Sequence, residues 1–456
     1  MGFRIKKNRA VVSQMGIKLK KNKGLIYWDK AKKIIPGGNG LLSKRPERFA
    51  PDIWPTYFNK CYGVEVFDLE DKKYIDMAQM GLGTSILGYA NQELNQAVSS
   101  SILNGVNCTL NCKEELDLAE KLIELNPNYE SVKFARSGGE AMAIAIRIAR
   151  AYSKKTKIAF SGYHGWHDWY LATNLKNKKN LNEHLLPGLK TDGVPDMLKN
   201  TIFPFSFNDS ESFLNLIKKE KDIGIVCVEG ARFNLPKKEF LNTIMDIAKK
   251  KNLIIISDEI TSGWRLTDGG VYKTNNFKPD IVVYGKAMGG GFAISAIVGK
   301  KEIMASAQES FVSSTMWTER VGFVAALKTI EILTREKSWE HLNNIGTCIG
   351  EGWLKIKNKF NLKMTINDFK PLISFNLGYG EFNDKILTLF SQEMLKKGYL
   401  TAKSVYVSTA HTQEIVDEYL FHASNTFEFI SDCIKNKNID KKLVSRPRSD
   451  SFSRTT

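Results

Sequence analysis

From residue 131 to residue 299 the chain repeats one rhythm, in which short apolar runs alternate with helical stretches. The runs are "SVKFAR" (131–136), "KIAFSG" (157–162), "IGIVCVEG" (223–230), "NLIIISDE" (252–259), "DIVVYG" (280–285) and "ISAIVG" (294–299). Between several of them lie amphipathic patterns such as "EAMAIAIRIARAYSKK" and "EFLNTIMDIAKKKN". An unbroken apolar strand has no solvent face, so both of its faces must be covered. Strands of that kind joined by helices predict an α/β fold around a mainly parallel sheet. Ligands of such sheets bind beyond the carboxyl ends of the strands, and the polar signatures are sought there.

The flanks read differently. "KKIIPGGNGLLSKRPERFAP" is punctuated by Gly and Pro and predicts an extended connector. "GVEVFDLEDKKYIDM" alternates, turns at Glu70-Asp71-Lys72 and alternates again, which predicts a β-hairpin. From Glu319 a long helical pattern, "RVGFVAALKTIEILTREKSWEHLNNIGTCIGEGWLKIKNKF", leads into a smaller α+β region. The end, "SRPRSDSFSRTT", has no packing pattern.

Composition excludes several classes. No apolar run reaches the length of a membrane span, and the basic start lacks the apolar core of a signal peptide. The Met-Gly start carries Lys at position six, which does not fit myristoylation. The six cysteines show no paired zinc spacing and read as free thiols in a reducing cytoplasm. Basic residues exceed acidic ones by 17, but the excess sits at the ends. Residues 1–33 hold eleven Lys/Arg against one Asp, and residues 435–456 hold seven against two. A nucleic-acid groove would carry its charge on the folded body, so none is expected; polyanion binding by the basic ends is the reading from another class.

Four polar signatures fall at strand ends. In "KFARSGGEAMAIAIR" the strand ends, Ser137-Gly138-Gly139 turn the chain and a helix starts near Glu140. Exposed N–H groups and the helix dipole there suit a phosphate, although a serine-capped turn explains the same residues. "GYHGWHDWY" crowds Tyr163, His164, Trp166, His167 and Trp169 at another end. An aromatic wall for a planar ligand and plain core packing both fit; a metal site would need ligands that are not visible. Asp258 and Glu259 end "IIISDE", and a carboxylate on a buried strand needs a cationic partner. A magnesium site of the Walker-B type would need a phosphate loop that the chain lacks. Lys286 follows the strand "VVYG" and precedes three glycines, Gly289 to Gly291. The glycines lie on the wrong side for a phosphate loop. What remains is a lysine held close to a ligand, which suits a Schiff-base amine able to shed its proton.

In this order "RSGGEA", "YHG", "DEITSGWR" and "GKAMGGG" resemble the fold type I pyridoxal-phosphate enzymes. More narrowly they resemble the class III aminotransferases, in the branch that includes glutamate-1-semialdehyde 2,1-aminomutase. The resemblance runs from "AKKIIPGGNG" to "STAHTQEIVDEYL". It implies a large cofactor-binding domain (76–325) and a smaller α+β domain built from an N-terminal segment (1–75) and the C-terminal region (326–456). It implies pyridoxal 5'-phosphate as cofactor, bound to Lys286, which also moves the proton as general acid/base. Asp258 resembles the aspartate paired to the pyridinium nitrogen. Tyr163 resembles the ring-stacking aromatic, and Ser137, Gly138 and Gly139 the phosphate turn. Glu229 matches a glutamate near the ring, with His164 behind it. Thr315 matches a threonine that completes the neighbouring subunit's phosphate site, which implies a homodimer.

Departures bear on the substrate. Gly139 stands where the family commonly has Thr, and Trp317-Thr318-Glu319-Arg320 replace an "S-G-N-P" segment. Lys403 falls where aminomutases have an acid, and their substrate arginine falls near Lys44 or Arg45. The loop "LATNLKNKKNLNEH" differs from the aminomutase gate. The expectation is an aminotransferase with a small-molecule amino donor and an aldehyde or ketone acceptor, carbohydrate-like or hydroxylated. The alternative is the aminomutase itself.

Overall fold

The computed structural model describes residues 21–452. Its centre is a seven-stranded sheet of β4 (Ser131–Ala135), β5 (Lys157–Ser161), β6 (Ile202–Pro204), β7 (Ile223–Glu229), β8 (Ile254–Asp258), β9 (Ile281–Tyr284) and β10 (Ser295–Gly299). Their spatial order is β4-β10-β9-β8-β7-β5-β6, and β10 alone runs antiparallel to its neighbours. Every residue of β7, β8, β9 and β10 is buried, as unbroken apolar runs require. Six of the seven strands coincide with the apolar runs. The seventh, β6, has three residues at the sheet edge and carries too short a pattern to be read.

Before the central sheet in sequence lie β1 (Phe58–Tyr62), β2 (Glu65–Asp68) and β3 (Lys73–Met77). The β2–β3 pair is the expected hairpin, with Asp71 left-handed in its turn. After the central sheet come β11 (Met364–Ile366), β12 (Leu372–Leu377), β13 (Tyr399–Thr401) and β14 (Ser404–Tyr406). The C-terminal β13 adds in parallel to β3, so the two flanks share one sheet of order β1-β2-β3-β13. The chain is therefore α/β with a smaller α+β part drawn from both flanks.

Two expectations are corrected. The connector 32–51 is not extended: two single 3-10 turns, Leu42–Lys44 and Pro46–Arg48, fold it back. The long C-terminal helix is two helices, Arg320–Arg335 and Ser338–Phe360, because Lys337 turns left-handed between them. Among the glycines after Lys286, Gly290 serves the turn itself. Gly290 has φ +58, and a Cβ there would lie 2.4 Å from Thr329 Oγ1, so it lets the turn pack against the helix Arg320–Arg335.

The C-terminal segment packs through charge rather than apolar pattern. Arg446 forks onto Asp52 at 2.8–3.1 Å, and Ser449 N–H donates to Glu47 O. Buried Arg448 pairs with Asp450 and donates to Arg48 O, while Phe452 N–H reaches Pro187 O. This ties the N-terminal segment to the loop after the aromatic cluster. Part of the basic excess near the C-terminus is thus neutralised internally, and residues 1–20 of the basic start lie outside the described residues. Burial works against the charge of Asp450, but Arg448, Lys403 and Arg48 pull its pKa below 3.8. A carboxyl depressed on folding stabilises above its unfolded pKa and loses that contribution as pH falls through the folded one. Asp450→Asn should therefore lower the thermal midpoint at neutral pH by a constant amount. The gap to wild type should close below about pH 4, measured by melts across pH.

Candidate active site

Three strand ends and one turn meet at the carboxyl edge of the sheet. Asp258 closes β8 and is 3% exposed. The cationic partner that such a carboxylate needs is His164, whose Nδ1 lies 2.8 Å from Asp258 Oδ2. His164 Nε2 lies 3.2 Å from Ser161 O and 3.6 Å from Cys227 Sγ. A carboxylate and a carbonyl can only accept, so both ring nitrogens carry protons and the ring is an imidazolium. Burial opposes that charge, yet Cys227 and Asp258 hold the His164 pKa well above 6.5.

Glu259 diverges from its neighbour. Its carboxylate accepts from Ser262 Oγ, Val271 N–H and Tyr272 N–H at 2.5–3.0 Å, and from Ser257 Oγ at 3.2 Å. The two adjacent acids thus have separate sets of partners.

Lys286 stands two residues beyond β9 with φ +43, a left-handed backbone uncommon for a residue with a side chain. Its Nζ lies 2.9 Å from Thr261 Oγ1, and no carboxylate among the described residues hydrogen-bonds to it. Burial first, then the nearby Arg232, lower its pKa to about 8. A substantial share of this amine is therefore neutral near physiological pH, which an attacking amine requires.

Glu229 closes β7, accepts from Tyr163 N–H at 3.1 Å and grips Arg232 at 2.7–2.9 Å. The Arg232 guanidinium covers the Tyr163 ring, 4.9 Å from its centroid. Its Nη1 has no hydrogen-bond partner among the described residues, which leaves one donor edge of this cation open. Arg265 is fully buried and donates to Thr261 O at 2.8 Å and Gly83 O at 2.5 Å. Burial lowers its pKa to about 10, and its Nη1 is unsatisfied.

The turn before the helix Gly138–Ser153 is a capping box. Ser137 Oγ faces Glu140 N–H at 3.5 Å, and the Glu140 carboxylate takes Ser137 N–H at 2.9 Å. The N–H groups of Gly138 and Gly139, in the first turn of the helix, have no acceptor among the described residues. Thr315 is exposed on a 3-10 turn, and its hydroxyl makes no hydrogen bond to Ser137, Gly138 or Gly139. The segment it belongs to lies beside that turn, since Arg136 Nε donates to Met316 O and Trp317 faces Glu140 at 3.5 Å.

Sequence reasoning missed Arg232, Thr261, Arg265 and His184, whose Nδ1 backs Gly162 N–H at 3.2 Å. Arg232 carried a faint signal, a cation three residues past a buried strand-end glutamate. Lys403 pairs with Asp450 at 3.8 Å, Arg45 is buried and Lys44 is exposed.

The family model described as aminotransferase class-III matches residues 50–393. A 3-aminobutyryl-CoA aminotransferase from Cloacimonas acidaminovorans is 32% identical over 426 residues, covering 89% of this chain and 98% of that protein. A glutamate-1-semialdehyde 2,1-aminomutase from Francisella tularensis is 30% identical over 441 residues, covering 90% and 99%. Among solved structures, the pyridoxal-phosphate internal aldimine form of the FumI protein of Sphingopyxis sp. MTA144 has a TM-score of 0.81 at 21% identity, covering 93% of this chain and 98% of that one.

Proposed function

The chain belongs to the class III aminotransferase family, and from that premise we propose that it moves an amino group between two small molecules through Lys286. The family's cofactor is pyridoxal 5'-phosphate. The residues present fit that group: a desolvated amine for its aldehyde, a carboxylate backed by imidazolium for its ring nitrogen, and free N–H groups for its phosphate. When bound, it supplies an electron sink for charge developing at the substrate carbon.

Lys286 Nζ is the amine that would hold the cofactor through its aldehyde, with release of water, and it would take up and return the proton of the substrate carbon. Asp258, paired with His164, would hold the proton of the ring nitrogen. Tyr163, packed against Arg232 and donating its N–H to Glu229, would cover the ring. Ser137, Gly138 and Gly139 would hold the phosphate, and in a homodimer Thr315 would complete the phosphate site of the second subunit. The observation that carries the reading is the Lys286 amine, depressed to about 8 and hydrogen-bonded to no carboxylate among the described residues.

The open donor edge of Arg232 favours a substrate that bears a carboxylate beside its carbonyl or amine, over a neutral carbohydrate-like one. Aminomutase is the second reading, favoured by the 30% identity to that enzyme over nearly its whole length. One experiment separates these. The cofactor-loaded protein is mixed with candidate amines, and loss of the cofactor's visible absorption is followed. Carbonyl acceptors, carboxylated or neutral, are then added. An aminotransferase needs a second substrate to return to its starting form, and carboxylated acceptors should exceed neutral analogues by about tenfold or more in kcat/KM. Turnover of glutamate-1-semialdehyde alone would establish the aminomutase. No spectral change with any amine would sink both.

A further inference from the structure

The hydroxyl of Thr261 is the one polar partner of the Lys286 amine, and it has no other hydrogen-bond partner among the described residues. The carboxylates nearby are spoken for. Glu229 binds Arg232 and Tyr163 N–H, while Asp258 binds His164 and Ile260 N–H. We propose that Thr261 is a positioning residue that holds Lys286 Nζ whenever the amine is not bonded to the cofactor. The inference rests on Lys286 being the reactive amine.

The chemistry of the partner matters. A lysine that takes and returns a proton alternates between ammonium and amine. A carboxylate would lock it as ammonium, and an apolar neighbour would leave either form unsatisfied in a buried site. A hydroxyl serves both states: it accepts an N–H from the ammonium and donates its O–H to the amine lone pair. Neither protonation state then leaves the buried nitrogen without a partner.

The anchor is also rigid. Thr261 lies three residues after Asp258 on one turn, and that turn is held from three sides. Arg265 Nε donates to Thr261 O at 2.8 Å, while Arg265 Nη2 reaches across to Gly83 O at 2.5 Å. Glu259 O accepts Gly263 N–H at 2.8 Å, and the Glu259 carboxylate is clamped by Ser262, Val271 and Tyr272. Asp258 and the resting place of the lysine are therefore fixed relative to each other by one short, buried segment. Side chains supported this way keep the geometry a proton transfer demands.

Thr261→Val removes the hydroxyl and keeps the shape, and Thr261→Ser restores the hydroxyl. The full-length protein freed of cofactor is treated with an amine-reactive anhydride across pH, and labelling of Lys286 is read by peptide mass. Losing an acceptor of the ammonium should lower the midpoint for Thr261→Val by roughly half to one pH unit, with Thr261→Ser close to wild type. In the loaded enzyme, Thr261→Val should lose about tenfold in kcat for the first half-reaction with KM nearly unchanged, and Thr261→Ser should recover it. A wild-type midpoint and wild-type kcat in Thr261→Val overturn the proposal. So does equal loss in both variants with lowered melting temperatures, which would mark a packing role. Failure of the reading beneath it looks different: wild-type protein would give no borohydride-fixed cofactor adduct at Lys286.

Discussion

Lys286→Ala should abolish turnover, by on the order of 10⁴-fold or more, and leave the protein at least as stable as wild type. The two halves of this result have one cause. The amine is desolvated, lies near the Arg232 guanidinium and has a hydroxyl as its one hydrogen-bond partner. Such a group costs the fold free energy, and its pKa falls to about 8 because burial disfavours its charge. Removing it relieves that cost. The left-handed backbone at Lys286 remains, so Ala gains nothing there. The measurements are steady-state kcat, a thermal melt and the intact mass after borohydride treatment with cofactor. Wild type should gain one covalent cofactor and the variant none. A variant that keeps more than about a hundredth of wild-type turnover would refute the role, because acid/base and covalent catalysis together account for far more.

How much of this was legible follows the length scale of each signal. Asp258, Lys286 and Glu229 sit at the ends of unbroken apolar runs, and the run itself carries the side chain to the sheet's carboxyl edge. Ser137-Gly138-Gly139 were legible because a capped helix start has a local pattern, and the same residues satisfy both the cap and the free N–H groups. Arg232 and Thr261 were not, since nothing in "VEGAR" or "DEITS" says where a side chain swings once the strand has ended. Arg232 matters because Tyr163, 69 positions earlier, lies beneath its guanidinium. The C-terminal segment was illegible for a related reason. Its partners, Glu47, Arg48 and Asp52, lie some 400 residues away, and charge pairing leaves no periodicity. The left-handed Lys337 broke a helix that periodicity alone would have continued.

Asp258→Ala should lower turnover by about 10³-fold and stability by roughly 3 kcal/mol, and Asp258→Asn should match the first loss but not the second. In the wild type His164 carries two protons because Asp258 and Ser161 O both accept from it. Ala strands that imidazolium in a buried site, so His164 must give up a proton and its Nδ1 loses its partner. Asn offers a repair: its amide can donate to Nδ1 of a neutral ring, while Nε2–H still reaches Ser161 O. The hydrogen bonds survive and the charge does not. If Asp258 acts through its negative charge, the two variants lose rate alike while differing in stability. If it acts only as a packing element, Asn should work nearly normally. The pH dependence supplies a second check. The folded pKa of His164 is raised above 6.5, so its contribution is full below 6.5 and is lost as pH rises through the raised value. In Asp258→Asn the ring has no anion, and burial disfavours its charge. The stability gap between wild type and Asp258→Asn should therefore be widest below pH 6.5 and narrow as pH rises, read from denaturant unfolding at a series of pH values.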